Sequence, residues 1–345
     1  MTETVLYRKY RPKSFKEVLG QDHIVKILAE SVKLGHLSHA YLFAGSRGTG
    51  KTSVARILAE AVGVSKNDIY EIDAASNRGI DDVRAIREGV NASPFESKYK
   101  VYIVDEVHML TKDAFNALLK TLEEPPAHVI FILATTEMEK LPETVISRCQ
   151  VFKFKKPNQL ALKEMVANVA KKEGFVLEPA AAELMALLGD GSFRDALGML
   201  QKIIGASTDR KITVNEVAVS AGAPKVELIN EVITALNESD VNKGINVIRR
   251  AGEENIDMKI FLKLLLAKLR FVLLLRHAPE MKKTIIEEVS EQDLNFLQKI
   301  ATGKESKISS TTILEFLKIE EFLGVAMVAS LPLELAIIKL CIKEK

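Results

Sequence analysis

The run Gly45-Ser46-Arg47-Gly48-Thr49-Gly50-Lys51-Thr52-Ser53 constrains this chain more than any other stretch. Gly, four residues, then Gly-Lys-Thr is the pattern of a phosphate-binding loop, which functions between a strand and a helix. Ala40 to Ala44 reads as that strand, and Thr52 to Val62 has the apolar spacing of the helix. Glycines let the backbone curl until several N–H groups and the helix N-terminus converge on phosphate oxygens. Lys51 adds a point charge and Thr52 offers a hydroxyl to Mg²⁺. A glycine-rich turn without a ligand is the alternative, and the flanking elements argue against it.

Around this run the chain alternates short β-type segments with helical ones, the signature of a parallel sheet covered by helices on both faces. Further strands are expected at Ile69 to Ile72, Val101 to Val104, Val129 to Ala134 and Val151 to Phe154. Thr111 to Glu124 carries Phe115, Leu118, Leu119 and Leu122 at helical spacing, with Thr111 as N-cap and Pro125-Pro126 as a stop. After Lys155-Lys156-Pro157-Asn158 the β-type runs disappear, and Leu- and Ala-rich helical segments continue to the end. Gly189 to Ser192 reads as a turn between helices, and Ser220 to Pro224 as a hinge between two helical blocks. Domains are therefore expected at 1–157, 158–222 and 223–345.

The third strand ends in Asp105-Glu106. Alone, this pair would equally suit a solvated acidic turn. Beside a phosphate loop, the first acid can hold Mg²⁺ through water and the second can polarise an attacking water, because phosphoryl transfer depends mainly on positioning and charge stabilisation. Asp105 is assigned to the metal and Glu106 to the base. With 48 Lys+Arg against 46 Asp+Glu the net charge is +2, so the chain is no basic tail, although a local basic stripe can lie within it. The two cysteines, Cys149 and Cys341, build neither a disulfide framework nor a cysteine-rich metal site, which points to a reducing, cytoplasmic setting. Met1 to Lys16 is basic with no apolar run behind it, so no export signal is expected. Ile260 to Leu275 is interrupted by Lys263, Lys268 and Arg270 and is expected as a buried or interface helix, not a membrane span.

Asp105-Glu106-Val107-His108-Met109-Leu110 and the run Phe115 to Pro126 resemble the gamma/tau subunits of the bacterial DNA polymerase III clamp loader, an AAA+ ATPase family. So do Tyr10-Arg11-Pro12, Gly20-Gln21 and Leu133-Ala134-Thr135-Thr136. The resemblance implies an α/β P-loop NTPase (AAA+) domain with a parallel sheet, a small helical lid and an all-α C-terminal collar. It also implies roles. Thr136 is similar to the sensor that bonds near the γ-phosphate or the attacking water, a turn-capping Thr being the alternative. Ser147-Arg148-Cys149 is similar to the family's Ser-Arg-Cys motif, whose arginine projects in trans into a neighbour's nucleotide; a surface ion pair is the alternative. Gly191 to Ala196 is similar to the second sensor, with Arg194 reaching the γ-phosphate, against a helix-start arginine paired with Asp195. Tyr7 to Pro12, including Arg11 and Pro12, together with Val18, resembles the part lying over adenine, against a solvated basic arm.

Many gamma/tau proteins carry a four-cysteine zinc module after the phosphate-loop helix. Val62 to Asp68 stand there in this chain, so zinc is not expected, while ATP and Mg²⁺ are. His36 and His39 lack partners for a metal, and His108 reads as a packing or turn residue rather than a catalytic one. Asp73 to Arg84 also resembles the small subunits of archaeal and eukaryotic clamp loaders. That makes Arg78, Arg84 and Lys112 candidates for DNA backbone contacts, with a solvated helix face equally open because Asp81 and Asp82 offset the charge. The implied function is an ATP-driven motor subunit that loads a sliding clamp onto primed DNA, with delta- and delta-prime-type subunits and further copies of itself as partners and no membrane. A non-hydrolysing scaffold subunit and another AAA+ motor, such as a branch-migration helicase, are the alternatives. Lys51, Thr52, Asp105, Glu106 and Arg194 argue against the first, and Leu122 to Pro126 against the second. Ile260 to Leu275 and Leu331 to Leu340 are collar candidates, with intrachain packing as the other reading.

Overall fold

A computed structural model describes residues 5–77, 79–207, 209–282, 285–286, 289, 291–303 and 306–342; the side chains at 80–82, 84, 85 and 87 lie outside that description. The chain divides into two compact units, Met1–Leu162 with Gly189–Gly198, and Lys163–Leu188 with Met199–Lys345.

In the first unit β1 (Ala40–Ala44), β2 (Ile69–Asp73), β3 (Lys100–Asp105), β4 (Val129–Thr135) and β5 (Gln150–Lys153) form one parallel sheet in the order β2-β3-β4-β1-β5. Each expected strand lies within one residue of its observed ends. The helices are α1 (Leu6–Lys9), α2 (Asp22–Leu34), α3 (Lys51–Ala61), α4 (Ile80–Asn91), α5 (Lys112–Glu123) and α6 (Glu143–Ile146). Strand side chains alternate faces, so each of these central strands feeds two cores. Tyr41, Phe43, Val101, Ile103, Ile130 and Ile132 pack on α2 and α3 through Ile24, Leu28, Val54 and Leu58. Leu42, Tyr102, Val104, Phe131 and Leu133 pack on α4 and α5 through Val83, Val90, Phe115, Leu118 and Leu122. Thr111 caps α5 by accepting the Ala114 N–H at 3.3 Å.

The strand order positions the site. Because β4 lies between β1 and β3, the C-terminal ends of these three strands bring Gly45, Asp105 and Thr135 side by side. Ala44 pairs with Thr135, and the Gly45 N–H donates to the Thr135 carbonyl at 3.1 Å.

Beyond the sheet come α7 (Gln159–Lys172), α8 (Pro179–Leu188), α9 (Phe193–Ala206), α10 (Val214–Ala221), α11 (Val226–Glu238), α12 (Val241–Glu253), α13 (Met258–His277), α14 (Glu291–Thr302), α15 (Ser310–Lys318) and α16 (Leu331–Cys341). The expectation that strands end after Asn158 needs correction. β6 (Val176–Leu177) and β7 (Lys211–Ile212) pair in parallel, each too short to show a period of two in sequence. α13 is the apolar stretch singled out above, and it is a core helix: Phe261, Leu265, Leu269 and Val272 are fully buried. Lys268 is accommodated by Asn230 at 2.9 Å and Asp293 at 2.8 Å, and burial lowers its pKa against the pull of Asp293. Truncating Leu265 to Ala would cost about 2–5 kcal/mol. No described helix is long and apolar enough to cross a membrane.

Candidate active site

The phosphate loop leaves β1 at Gly45 and enters α3 at Lys51. The Lys51 ammonium is buried and folded back onto the loop, donating to the carbonyls of Gly45 at 2.7 Å and Ser46 at 3.0 Å. Burial pushes its pKa below the usual lysine value, Glu106 and Asp105 pull it back up, and Arg194 pushes it down. A buried cation flanked by carboxylates and a guanidinium suits a polyanion. The Thr49 hydroxyl donates to Ser46 O at 2.9 Å and pins the loop; Arg47 stands exposed at its tip.

Asp105 falls on the α3 face of β3, where the Thr52 hydroxyl donates to its Oδ2 at 2.7 Å. Its Oδ1 accepts the Glu106 N–H at 3.0 Å. This hydroxyl–carboxylate pair is a hard, all-oxygen donor set of the kind Mg²⁺ takes. Glu106 sits in the left-handed region, φ 50° and ψ 43°, a conformation a non-glycine residue rarely holds. That backbone turns β3 into the short Val107–Met109 helical turn, and the Thr136 hydroxyl, one residue past β4, donates to Glu106 Oε2 at 2.9 Å. The sequence named both residues; their direct bond is new.

The amino-terminal arm meets the second-sensor segment. The Arg194 guanidinium lies 5.7 Å from the Tyr7 ring centre, and the Arg8 guanidinium 5.9 Å from the same ring. Burial lowers the Arg11 pKa, as do Arg56, Arg194 and Arg8, while Glu71 opposes them. Phe193 N–H donates to Gly48 O at 3.0 Å, joining the loop to the start of α9. Pro12 and Val18 are half-buried, with Val18 packed on the α2–α3 core. Arg148 is held elsewhere: its guanidinium pairs with Glu123 at 2.6 Å and donates to Thr144 O at 2.8 Å. Burial raises the neighbouring Cys149 thiol to about 11, so no thiolate accompanies it. Of the DNA candidates, Lys112 is exposed in the first turn of α5, while Arg78 and the Arg84 side chain lie outside the described residues.

Comparison with known proteins turns this geometry into a lineage. A family model described as DNA polymerase III, delta subunit, matches residues 20–78 and 65–158. The tau subunit of DNA polymerase III from Bacillus subtilis is 39% identical over 84% of this chain and 55% of its own length. The gamma subunit from Buchnera aphidicola is 34% identical over 82% of both chains. The chain belongs to the DNA polymerase III gamma/tau family. It spans about half the length of the tau relatives it matches, 55% in B. subtilis and 46% in Escherichia coli. Among solved structures, the RuvB Holliday junction branch migration motor of Thermotoga maritima superposes with a TM-score of 0.53 at 23% identity, covering 66% of this chain and 80% of RuvB. That likeness shows a shared fold.

Two features of the site escaped the sequence. Ser192 packs against Gly48, and His108 lies among Glu106, Thr135 and Glu137. A serine after Gly189-Asp190-Gly191 and a histidine three residues past Asp105 are visible in sequence, but nothing local marks their partners. Among the described residues no group of three or more His, Cys, Asp or Glu is placed to hold a metal ion.

Proposed function

We propose that this chain is an ATP-hydrolysing motor subunit of a sliding-clamp loader, acting in the cytoplasm. The Thr136–Glu106 bond beside Asp105–Thr52 and Lys51 carries the reading, since it sets a candidate base at the mouth of the phosphate loop. Residues Gly45 to Ser53 wrap the phosphates with backbone N–H groups, Lys51 turns from the loop carbonyls to the β- and γ-phosphates, and Thr52 and Asp105 would hold Mg²⁺. When bound, the ion would offset the charge on the phosphate oxygens. Thr136 fixes Glu106 by one oxygen, leaving the other to take a proton from water as it attacks the γ-phosphorus. Arg194 supports the γ-phosphate, and Arg11, Pro12 and Val18 flank the base.

Arg148, released from Glu123, serves a neighbouring subunit's nucleotide, so hydrolysis needs assembly with further copies and with delta- and delta-prime-type subunits. Residues 158–222 form a lid and 223–345 a collar; the exposed Phe322, Val325, Met327 and Leu335 offer apolar surface for it. ATP opens the clamp only insofar as the ATP-bound assembly prefers the open form. Zinc plays no part, and Arg78, Arg84 and Lys112 contact the DNA backbone. The test is capture of a sliding clamp on primed circular DNA by the reconstituted complex. Loading with ATP that disappears with Lys51→Ala supports the proposal; ATP-independent loading, or none, refutes it.

A further inference from the structure

His108 is the strongest unassigned group near the candidate base. Its side chain is 5% exposed, and its two nitrogens face different neighbours. Nδ1 lies 3.0 Å from the Thr135 hydroxyl and 3.5 Å from Glu106 Oε2. Nε2 lies 3.2 Å from Glu137 Oε1. The surroundings are themselves tied down: Thr135 Oγ1 accepts the Glu137 N–H at 3.0 Å, and the Glu137 carboxylate pairs with Lys140 at 2.6 Å. A buried imidazole retains its rotamer only where its polar atoms find partners, and here both do.

Glu106 needs such support. Its backbone occupies a strained left-handed conformation, and its side chain has freely rotating bonds. One hydroxyl bond from Thr136 fixes one oxygen but leaves the carboxylate able to swing about it. The Nδ1 edge of His108, hydrogen-bonded to the Thr135 hydroxyl at 3.0 Å, lies 3.5 Å from that same oxygen, so Thr136 and His108 flank Oε2 while Oε1 remains for water.

We propose that His108 is a positioning residue for hydrolysis: its Nδ1 edge orients the Glu106 carboxylate, and its Nε2 edge anchors the ring on the Glu137–Lys140 turn. The inference rests on the reading of Glu106 as base. His108 acts through Glu106 in this proposal, so its removal changes turnover and leaves nucleotide affinity alone. A base displaced by a fraction of an ångström loses about 10- to 100-fold in rate.

The experiment measures steady-state ATP hydrolysis by the reconstituted assembly, and binding of a fluorescent ATP analogue, for His108→Ala, His108→Asn, His108→Gln and Glu106→Gln. The Asn amide nitrogen takes the place of Nδ1, and the Gln amide nitrogen that of Nε2. Expected are a kcat lower by about 10- to 100-fold in His108→Ala with the analogue's affinity within about twofold, recovery to within about threefold in His108→Asn, and no recovery in His108→Gln. Equal rates for the Asn and Gln variants overturn the proposal, as does wild-type kcat in His108→Ala. If His108→Ala fails to fold, the Asn–Gln comparison decides alone. Unchanged hydrolysis in Glu106→Gln refutes the base itself; lost hydrolysis there with normal kcat in His108→Ala refutes only the positioning role.

Discussion

Gly48→Ala offers a quantitative probe of how the phosphate loop meets the start of α9. Gly48 has φ +74°, where a Cβ costs about 1–2 kcal/mol of backbone strain. The added Cβ would sit 2.0 Å from Ser192 Oγ and 2.9 Å from Ser192 Cβ. Ser192 is 5% exposed, so its hydroxyl has no room to retreat into solvent. That hydroxyl also accepts the Asp195 N–H at 3.2 Å, a cap worth about 1 kcal/mol. Adding strain, lost cap and overpacking gives a cost of about 3–6 kcal/mol. Gly50→Ala is the control, because Gly50 has φ +100° but nothing described within 4 Å of its Cβ position, leaving about 1–2 kcal/mol of strain. Urea unfolding of both variants, repeated in a Ser192→Gly background, separates the terms. The account expects Gly48→Ala to be the costlier by about 2–4 kcal/mol and the excess to shrink once Ser192 is removed. Equal costs for the two glycines, unchanged by Ser192→Gly, would refute the close approach of loop and helix.

Other outcomes follow from the same geometry. Arg148→Ala removes a surface ion pair worth about 0–1 kcal/mol, so the isolated chain should melt and bind an ATP analogue as before. In the assembled complex, hydrolysis should fall by about 10³-fold or more, and an unaffected rate would rule out the finger. Asp68 tests the loop before β3. Burial raises its pKa, but the N–H groups of Phe95, Glu96 and Ser97 lower it further, to about 2 from 3.8. A depressed carboxylate pKa contributes stability above its unfolded value, lost as pH falls through the folded one, here between about 4 and 2. Asp68→Asn should therefore be less stable at pH 7 by about 1–3 kcal/mol and lack this part of the acid slope; parallel pH–stability curves for the two proteins would contradict it.

Legibility in the sequence followed the range of each interaction. The sheet is readable because Ala40 to Ala44, Val101 to Val104 and Val129 to Ala134 are short unbroken apolar runs, as burial on both faces demands. The phosphate loop was readable because its spacing is local. The Asp105–Thr52 bond joins two residues that the sequence assigns separately to Mg²⁺, and alternation along β3 puts Asp105 on the α3 face. Arg148 is placed by resemblance, yet its partner Glu123 is not foreseeable, because an ion pair between the end of α5 and the turn after α6 leaves no spacing signal. His108 reads as a packing or turn residue for the same reason. Its partners come from β4 and the turn after it, which the strand order, not the sequence order, brings beside β3. The β6–β7 pair is two residues per strand, below the length at which any period shows.

The central claim is that Glu106 activates water at an ATP site assembled from Gly45 to Ser53, Asp105 and Thr136. Its most direct test is paired measurement, on Glu106→Gln in the complete complex with clamp and primed DNA, of ATP-analogue affinity and of ATP turnover. The account predicts affinity within about twofold of wild type with turnover reduced by about 10²- to 10⁴-fold. Wild-type turnover in that variant, at matched binding, would contradict it.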